Sequence, residues 1–151
     1  MSTKTLFLLL APALLLVMGI YVLVNPSYQK SFQAKYFFET GDYKEALILA
    51  KEAFSMDVYN RMASTIMAQT ITALKYASYI EMGKKYMAAI NAIATHENIS
   101  DADKAKIRTM CEIMVREYVK LAPSVITDES LVKEASEYHQ KFEKLLEKVT
   151  R

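Results

Sequence analysis

The sequence predicts an all-α protein: an N-terminal transmembrane helix, then a helical-hairpin domain that ends in a second helical hairpin. Three observations support this prediction. The 151 residues include only three Gly and three Pro, a low turn content, whereas the helix-favouring Ala, Leu, Lys, Glu and Met are abundant. Residues 5–24 contain no charged side chain. The remaining chain repeats its apolar residues at three- and four-residue spacing, the period of a helix.

The uncharged segment Thr5 to Val24 is long enough to cross a bilayer, since a helix of this length spans about 30 Å. We expect residues 1–24 to be a transmembrane anchor. A cleaved signal peptide is the competing interpretation, but its apolar stretch would be shorter and would end in small residues. A buried core helix would be polar on part of one side. The side chains expected to face lipid are Leu6, Phe7, Leu10, Leu14, Val17, Ile20 and Leu23.

The charges that flank this anchor do not clearly determine its orientation in the membrane. Lys4 precedes the span, and Lys30 and Lys35 follow it, so the positive-inside rule barely discriminates. The short polar start leading directly into the apolar span resembles a signal-anchor, whose N-terminus stays in the cytoplasm. On that resemblance we expect the anchor in an inner (plasma) membrane and the soluble domain outside the cytoplasm, in the periplasm of a bacterium; a cytoplasmic domain is the alternative.

The first soluble helices are bounded by local signals. Residues 25–27, Asn-Pro-Ser, should end the span because proline cannot continue the helical hydrogen bonding. A helix is expected from Tyr28, with Phe32, Tyr36 and Phe37 at helical spacing. Gly41 suits the left-handed position after a helix. Asp42 and Glu45 suit a capping box for the next helix, over about residues 43–56. The apolar face of that helix is Ala46, Leu47, Ala50, Ala53 and Phe54.

One set of positions within residues 28–60 stands out: Ala34, Gly41, Tyr43, Ala46, Ala53, Asp57 and Asn60. It resembles a single degenerate tetratricopeptide repeat. The small residues would let two antiparallel helices pack closely, with Tyr43 beside the turn. The sequence departs from the family at Val58, where proline is usual, and at Lys30 and Gln33, where an aromatic residue and Leu are expected. The pattern does not recur at the repeat period downstream, so we expect one repeat followed by a helical extension, all within a domain of residues 25–151.

The extension begins with a helix over Arg61 to Tyr79, for which Met62, Ile66, Ala73, Leu74 and Ala77 are core candidates. A short break or weak point is expected at residues 81–83, Glu-Met-Gly, before helical spacing resumes at Met87, Ile90 and Ala94 and continues to about Thr95.

Two further helices follow a loop at residues 96–100. Ser100 with Asp103 should cap a helix that runs to Ala122, before Pro123. Its apolar stripe is Ile107, Met110, Cys111, Met114, Tyr118 and Leu121. Thr127 or Asp128 should start the last helix, to about Val149, with a heptad stripe of Leu131, Ala135, Tyr138, Phe142, Leu145 and Val149. We expect this stripe to pair with the preceding helix as a hairpin. A seam offered to another chain is the alternative.

Catalytic motifs are missing from the sequence. It contains no Gly-rich phosphate loop, no paired His or Cys at metal spacing, and no nucleophile turn. We therefore expect no enzyme activity, no cofactor and no catalytic or metal site. With 19 basic and 17 acidic residues, no basic field recruits nucleic acid. Cys111 should be a small buried hydrophobe, and His139 should be solvated on the outer face of its helix. Glu97, Asp101 and Asp103 fit helix capping better than a cation site.

Binding is the function class that remains. Seven Met lie outside the anchor and the initiator, and Met-rich faces adapt to partners. The candidate interface residues are Tyr76, Tyr79, Tyr86, Tyr138 and Phe142, which also suit a core. The resemblance and the anchor imply an interaction module, serving as an ancillary subunit, assembly factor or chaperone of a bacterial membrane complex such as a translocon, secretion system or flagellar motor. The expected partners are an integral membrane protein or its peptide segments, and the bilayer. The alternative is a structural protein that forms homo-oligomers through the C-terminal heptad helix.

Overall fold

The computed structural model describes residues 3–96, 98–123 and 127–150, with side chains from Phe7 onward. Helices account for 86% of these residues and none of them lies in a strand, which confirms the predicted all-α class. Six helices follow one another: α1 Thr3–Val24, α2 Pro26–Glu39, α3 Tyr43–Met56, α4 Arg61–Ala94, α5 Asp101–Tyr118 and α6 Glu129–Thr150.

Helix α1 contains a window, Phe7–Val24, whose mean hydropathy is 2.7 and none of which is buried. Among the described residues it is the one helix long and apolar enough to cross a membrane. Because none of the window is buried, this part of α1 contributes nothing to the core of the described residues. The side chain of Leu6 lies outside the described part. The other residues predicted to face lipid are all more than half exposed: Phe7, Leu10, Leu14, Val17, Ile20 and Leu23.

A single extended residue separates α1 from α2. Asn25 has φ −74° and ψ 119°, and its side-chain Oδ1 accepts a hydrogen bond of 2.9 Å from the backbone N–H of Ser27. The predicted break at residues 25–27 is therefore confirmed, but α2 begins at Pro26, two residues before the expected start. Proline is pre-organised for the first turn of a helix, where its missing N–H is not needed.

Helices α2 and α3 form the predicted hairpin. Gly41 has φ +85°, and the backbone N–H of Glu45 donates to Asp42 Oδ1 at 3.2 Å. The helices meet through small residues, all fully buried: Ser31, Ala34, Ala46, Ala50 and Ala53. The close packing expected from Ala34, Ala46 and Ala53 is confirmed.

The aromatic residues of α2 do not mark its buried face. Phe32 is 48% exposed and Tyr36 is 62% exposed. Since α3 presents alanines, the face of α2 that fits against it is the one with Ser27, Ser31 and Ala34. The aromatic side chains are left on other faces of the helix.

The chain divides into two compact units, Met1–Ile71 and Thr72–Arg151, so the boundary falls inside α4. The break expected at residues 81–83 does not occur. Gly83 is buried in the helix, and a Cβ added there would lie 2.9 Å from Cδ1 of Tyr138. Glycine at this position makes room for the Tyr138 ring and does not end the helix.

Helices α5 and α6 pack against each other in the second unit. Helix α5 ends at Tyr118, four residues before the predicted Ala122. Its end tightens into turns in which Lys120 N–H donates to the Glu117 carbonyl and Leu121 N–H to the Tyr118 carbonyl. Asp128 is the residue that starts α6, since its Oδ1 accepts a 2.8 Å hydrogen bond from Ser130 N–H.

The heptad stripe of α6 faces the core of its own unit, as the hairpin interpretation expects. Ala135 and Phe142 are fully buried, and the rest of the stripe packs partly buried around them. The core of this unit consists of Tyr76, Tyr79, Ile80, Ile90, Ile107, Cys111, Met114, Ala135 and Phe142.

Candidate protein-interaction site

The residues that the sequence nominated for an interface lie in or around the core of the second unit. Tyr76, Tyr79 and Phe142 are buried, and Tyr86 and Tyr138 are half-buried. The Tyr79 hydroxyl donates to the Met114 carbonyl at 3.2 Å. Burial, followed by the nearby Tyr118 and Glu143, raises the pKa of the Tyr79 phenol. These side chains therefore serve packing in this structure.

Cys111 is fully buried, as predicted for a small hydrophobe. Burial, with a smaller contribution from Glu112, raises the pKa of its thiol. Because a thiol reacts as the thiolate, this environment protects the cysteine.

The prediction that His139 is solvated is wrong. Its side chain is only 17% exposed, and its ring stacks on Tyr118 with centroids 4.0 Å apart and planes 8° apart. Nε2 lies 3.3 Å from a Glu143 oxygen, while the buried Nδ1 has no hydrogen-bond partner among the described residues. The periodicity of α6 places His139 off the apolar stripe. It gives no information about the Tyr118 ring of α5, which covers the imidazole.

Ser100 caps the start of α5, and the acidic Asp103 hydrogen-bonds to it. Asp103 N–H donates to Ser100 Oγ at 3.1 Å, and Ser100 Oγ donates back to the Asp103 carboxylate at 2.7 Å. This hydrogen bond is the main reason why the pKa of Asp103 is lowered. Glu97 lies outside the described residues. Within the described residues, no group of three or more His, Cys, Asp or Glu is placed to hold a metal ion.

A groove of about 570 Å³ runs between α2 and the start of α4, entirely within the first unit. Its apolar lining is Phe32, Phe38, Met62 and Ile66. Ile66 is buried at the bottom, and Phe38 and Met62 pack partly buried beside it. Phe32 is about half exposed at the edge. We call this feature the α2–α4 groove.

The rim of the α2–α4 groove is polar on both sides. Lys35 and Glu39 of α2 form an exposed ion pair, with 3.7 Å between Nζ and Oε1. Across the groove, α4 contributes Arg61, Thr65 and Gln69. The lining contains no His or Cys, so it offers apolar contact, hydrogen bonds and charge. Its shape and chemistry suit the binding of a peptide segment.

A buried polar network sets the position of α4 beside α2. Asn60 is fully buried, and its Nδ2 donates to Ser27 Oγ at 2.8 Å and to Ser31 Oγ at 3.0 Å. Its Oδ1 accepts from the backbone N–H of Ala63 at 3.1 Å, which caps the first turn of α4. Ser27 Oγ also donates to the Ala53 carbonyl of α3 at 2.8 Å. One asparagine thus joins α2 directly to α4, and Ser27 extends the network to α3.

The repeat-motif positions build the hairpin rather than the groove. Ala34, Ala46 and Ala53 are its buried contacts, and Gly41 forms its turn. Asp57 ends α3, and its Oδ1 accepts from Tyr59 N–H at 2.9 Å. Sequence reasoning missed the groove, although one signal was present. Because α2 packs through its small residues, Phe32 on another face of the helix is available to contact a different element or a partner.

Comparison with known families gives no match for this chain, and neither curated proteins nor solved structures show a significant similarity.

Proposed function

We propose that the protein is a non-enzymatic, membrane-anchored interaction module whose α2–α4 groove binds a segment of an integral membrane protein. The observation that carries this proposal is the groove itself. An aromatic and aliphatic lining with a charged rim is left open in the unit that also contains α1. Exposed apolar surface rimmed by polar groups is typical of a binding site.

The anchor is the second part of the proposal. Helix α1 is long, apolar and unburied, so leaving it in water would expose a continuous hydrophobic surface. Insertion in an inner membrane as a single span would remove this hydrophobic surface from water. We place the rest of the chain outside the cytoplasm, following the signal-anchor resemblance of the N-terminus. An anchored groove is held close to partners in the same membrane, which raises their effective concentration.

The groove chemistry indicates what kind of segment binds. Its volume, about 570 Å³, holds several side chains but not a folded domain. The lining favours a segment with aliphatic or aromatic side chains. The rim, with Lys35, Glu39 and Arg61, favours charged residues next to those side chains. A short amphipathic segment next to a transmembrane span of the partner meets these requirements.

The tetratricopeptide resemblance is consistent with this role, since stacked helix pairs create concave surfaces for peptides. In that comparison α2 and α3 are the two helices of the repeat, and α4 is the helix that follows. We therefore propose an ancillary subunit, assembly factor or chaperone of a bacterial membrane complex, of the translocon, secretion or flagellar-motor type.

The alternative of self-assembly through the heptad helix has less support. It needs a free stripe on α6, whereas Ala135 and Phe142 are fully buried within the second unit.

A matched pair of charge substitutions tests the proposal. Phe32 in the groove and Ile48 on α3 are similarly exposed, at 48% and 52%, so neither Phe32→Glu nor Ile48→Glu should unfold the hairpin. The full-length variants are expressed at native level and solubilised in mild detergent, and the co-purifying integral membrane protein is quantified. Phe32→Glu should reduce recovery of the partner at least tenfold, because a carboxylate is costly to bury without a counter-charge. Ile48→Glu should leave recovery unchanged. A solitary monomer from the unsubstituted protein, or equal losses in the two variants, contradicts the proposal.

A further inference from the structure

The end of α3 and its connection to α4 carry three exposed apolar side chains in close succession. Met56 is 53% exposed, Val58 60% and Tyr59 88%. Water is a poor environment for this concentration of apolar surface, and neighbouring Arg61 is also exposed. We call Met56, Val58 and Tyr59, with the Asp57 carboxylate between them, the apolar loop.

The apolar loop is fixed beside the end of α1. Asn60, the next residue along, donates a 2.8 Å hydrogen bond to Ser27 Oγ. Ser27 lies three residues after Val24, where α1 ends, and it also donates to the Ala53 carbonyl near the end of α3. Three residues of chain span at most about 10 Å. The loop is therefore joined, through Asn60 and Ser27, to the residues that directly follow the apolar span.

The residues around this junction match the chemistry of a membrane interface. Tyr21 and Tyr28 meet edge to face at 6.5 Å, and Tyr21 accepts a 3.1 Å hydrogen bond from Asn25 Nδ2. Tyrosines at the end of a span are typical of the aromatic belt at headgroup level. Tyr59, next to Asn60 in the sequence, adds a further exposed aromatic ring.

We propose that Met56, Val58 and Tyr59 insert into the headgroup–acyl boundary of the membrane that α1 crosses, which gives the first unit a second attachment to the lipid. This inference rests on the proposed anchoring of α1. The occupant is lipid rather than protein because Asn60, the residue after the loop, is hydrogen-bonded to Ser27, three residues beyond the end of the span. Three side chains are also too few for a stable protein interface, which buries on the order of 1,000 Å² or more, whereas shallow insertion into lipid requires no such area.

The chain contains no Trp, so a single introduced Trp reports its own environment. We would compare Leu16→Trp in α1, Tyr59→Trp in the apolar loop and Tyr36→Trp on α2, at positions 63%, 88% and 62% exposed. Each full-length variant is reconstituted in phosphatidylcholine–phosphatidylglycerol vesicles with acyl chains brominated at either a shallow or a deep position. Circular dichroism checks that each variant keeps its helices.

The fluorescence of the indole at position 16 should be quenched most by deep bromines. The indole at position 59 should be quenched most by shallow bromines and should show a blue-shifted emission. Quenching at position 59 should exceed quenching at position 36 at least twofold.

Two results would overturn the inference while the anchor stands. The first is quenching at position 16 together with an emission at position 59 that matches an indole in water. The second is equal quenching at positions 36 and 59, because the whole unit would then be adsorbed to the lipid. If position 16 is not quenched, the anchor itself fails, and the loop insertion fails with it.

Discussion

Replacing Asn60 with Ala tests how the first unit is held together. The substitution removes the cap on Ala63 N–H and both Nδ2 hydrogen bonds, to Ser27 and Ser31. A lost N-cap costs about 1 kcal/mol, and each buried hydrogen bond costs about 1 kcal/mol more. Since Asn60 is fully buried, water cannot readily replace these partners. We expect Asn60→Ala to destabilise the first unit by about 3 kcal/mol.

Hydrogen exchange measured by mass spectrometry on the full-length protein in detergent resolves the two units separately. A loss of about 3 kcal/mol corresponds to roughly a hundredfold faster exchange of protected amides. We expect this acceleration in α2 and in residues 61–71, with α5 and α6 unchanged. Asn60→Ser keeps a capping oxygen but loses the amide donors, so its effect should be intermediate. A change below threefold in α2, or equal acceleration in α6, would refute the role assigned to Asn60.

Three further outcomes concern the second unit. Gly83→Ala gains about 1 kcal/mol of helix propensity, but its methyl would lie 2.9 Å from Tyr138. Overpacking costs about 1–3 kcal/mol, so the melting temperature should not rise, and a clear increase would contradict the close approach. Phe142→Ala removes a fully buried ring and should cost about 3–5 kcal/mol in denaturant unfolding. The pKa of Tyr79 is raised in the folded protein, so the unfolded chain loses this proton first and stability should fall as the pH rises above about 10. Tyr79→Phe should reduce this loss of stability at alkaline pH. An unchanged dependence of the unfolding free energy on pH would contradict the role assigned to Tyr79.

Local chemistry explains why parts of the fold were predictable. Gly41, Asp42 and Ser100 act on backbone groups within a few residues, so their turn and caps can be read directly from the sequence. The alanines of α3 indicated close packing because a small side chain lets a neighbouring helix approach closely. Predicting the apolar span of α1 requires only its length and its composition.

Tertiary neighbours explain the errors. Gly83 resembled a helix break, yet it admits the ring of Tyr138, which lies 55 positions later in the chain. His139 was expected in water, yet Tyr118 covers it. In each case the deciding contact joins residues far apart in sequence, and helical periodicity carries no information about such contacts.

The candidate site was harder to predict than the fold. The tyrosines predicted to form an interface are equally suited to a protein core. In the structure, Tyr76 and Tyr79 are buried in the core. The α2–α4 groove depends on which face of α2 meets α3. Aromatic spacing indicates that α2 is a helix but not which face is buried, and Ser27 and Ser31 are polar residues that become buried through their hydrogen bonds.

Site-specific photo-crosslinking in native membranes tests the central claim most directly. A photoreactive phenylalanine analogue replaces Phe32 in the α2–α4 groove, and the same analogue at Ile48 is the control of similar exposure. If the groove binds an integral membrane protein, position 32 should give a discrete adduct with one membrane protein, and position 48 should not. No adduct at position 32, or the same adducts at both positions, would contradict the claim.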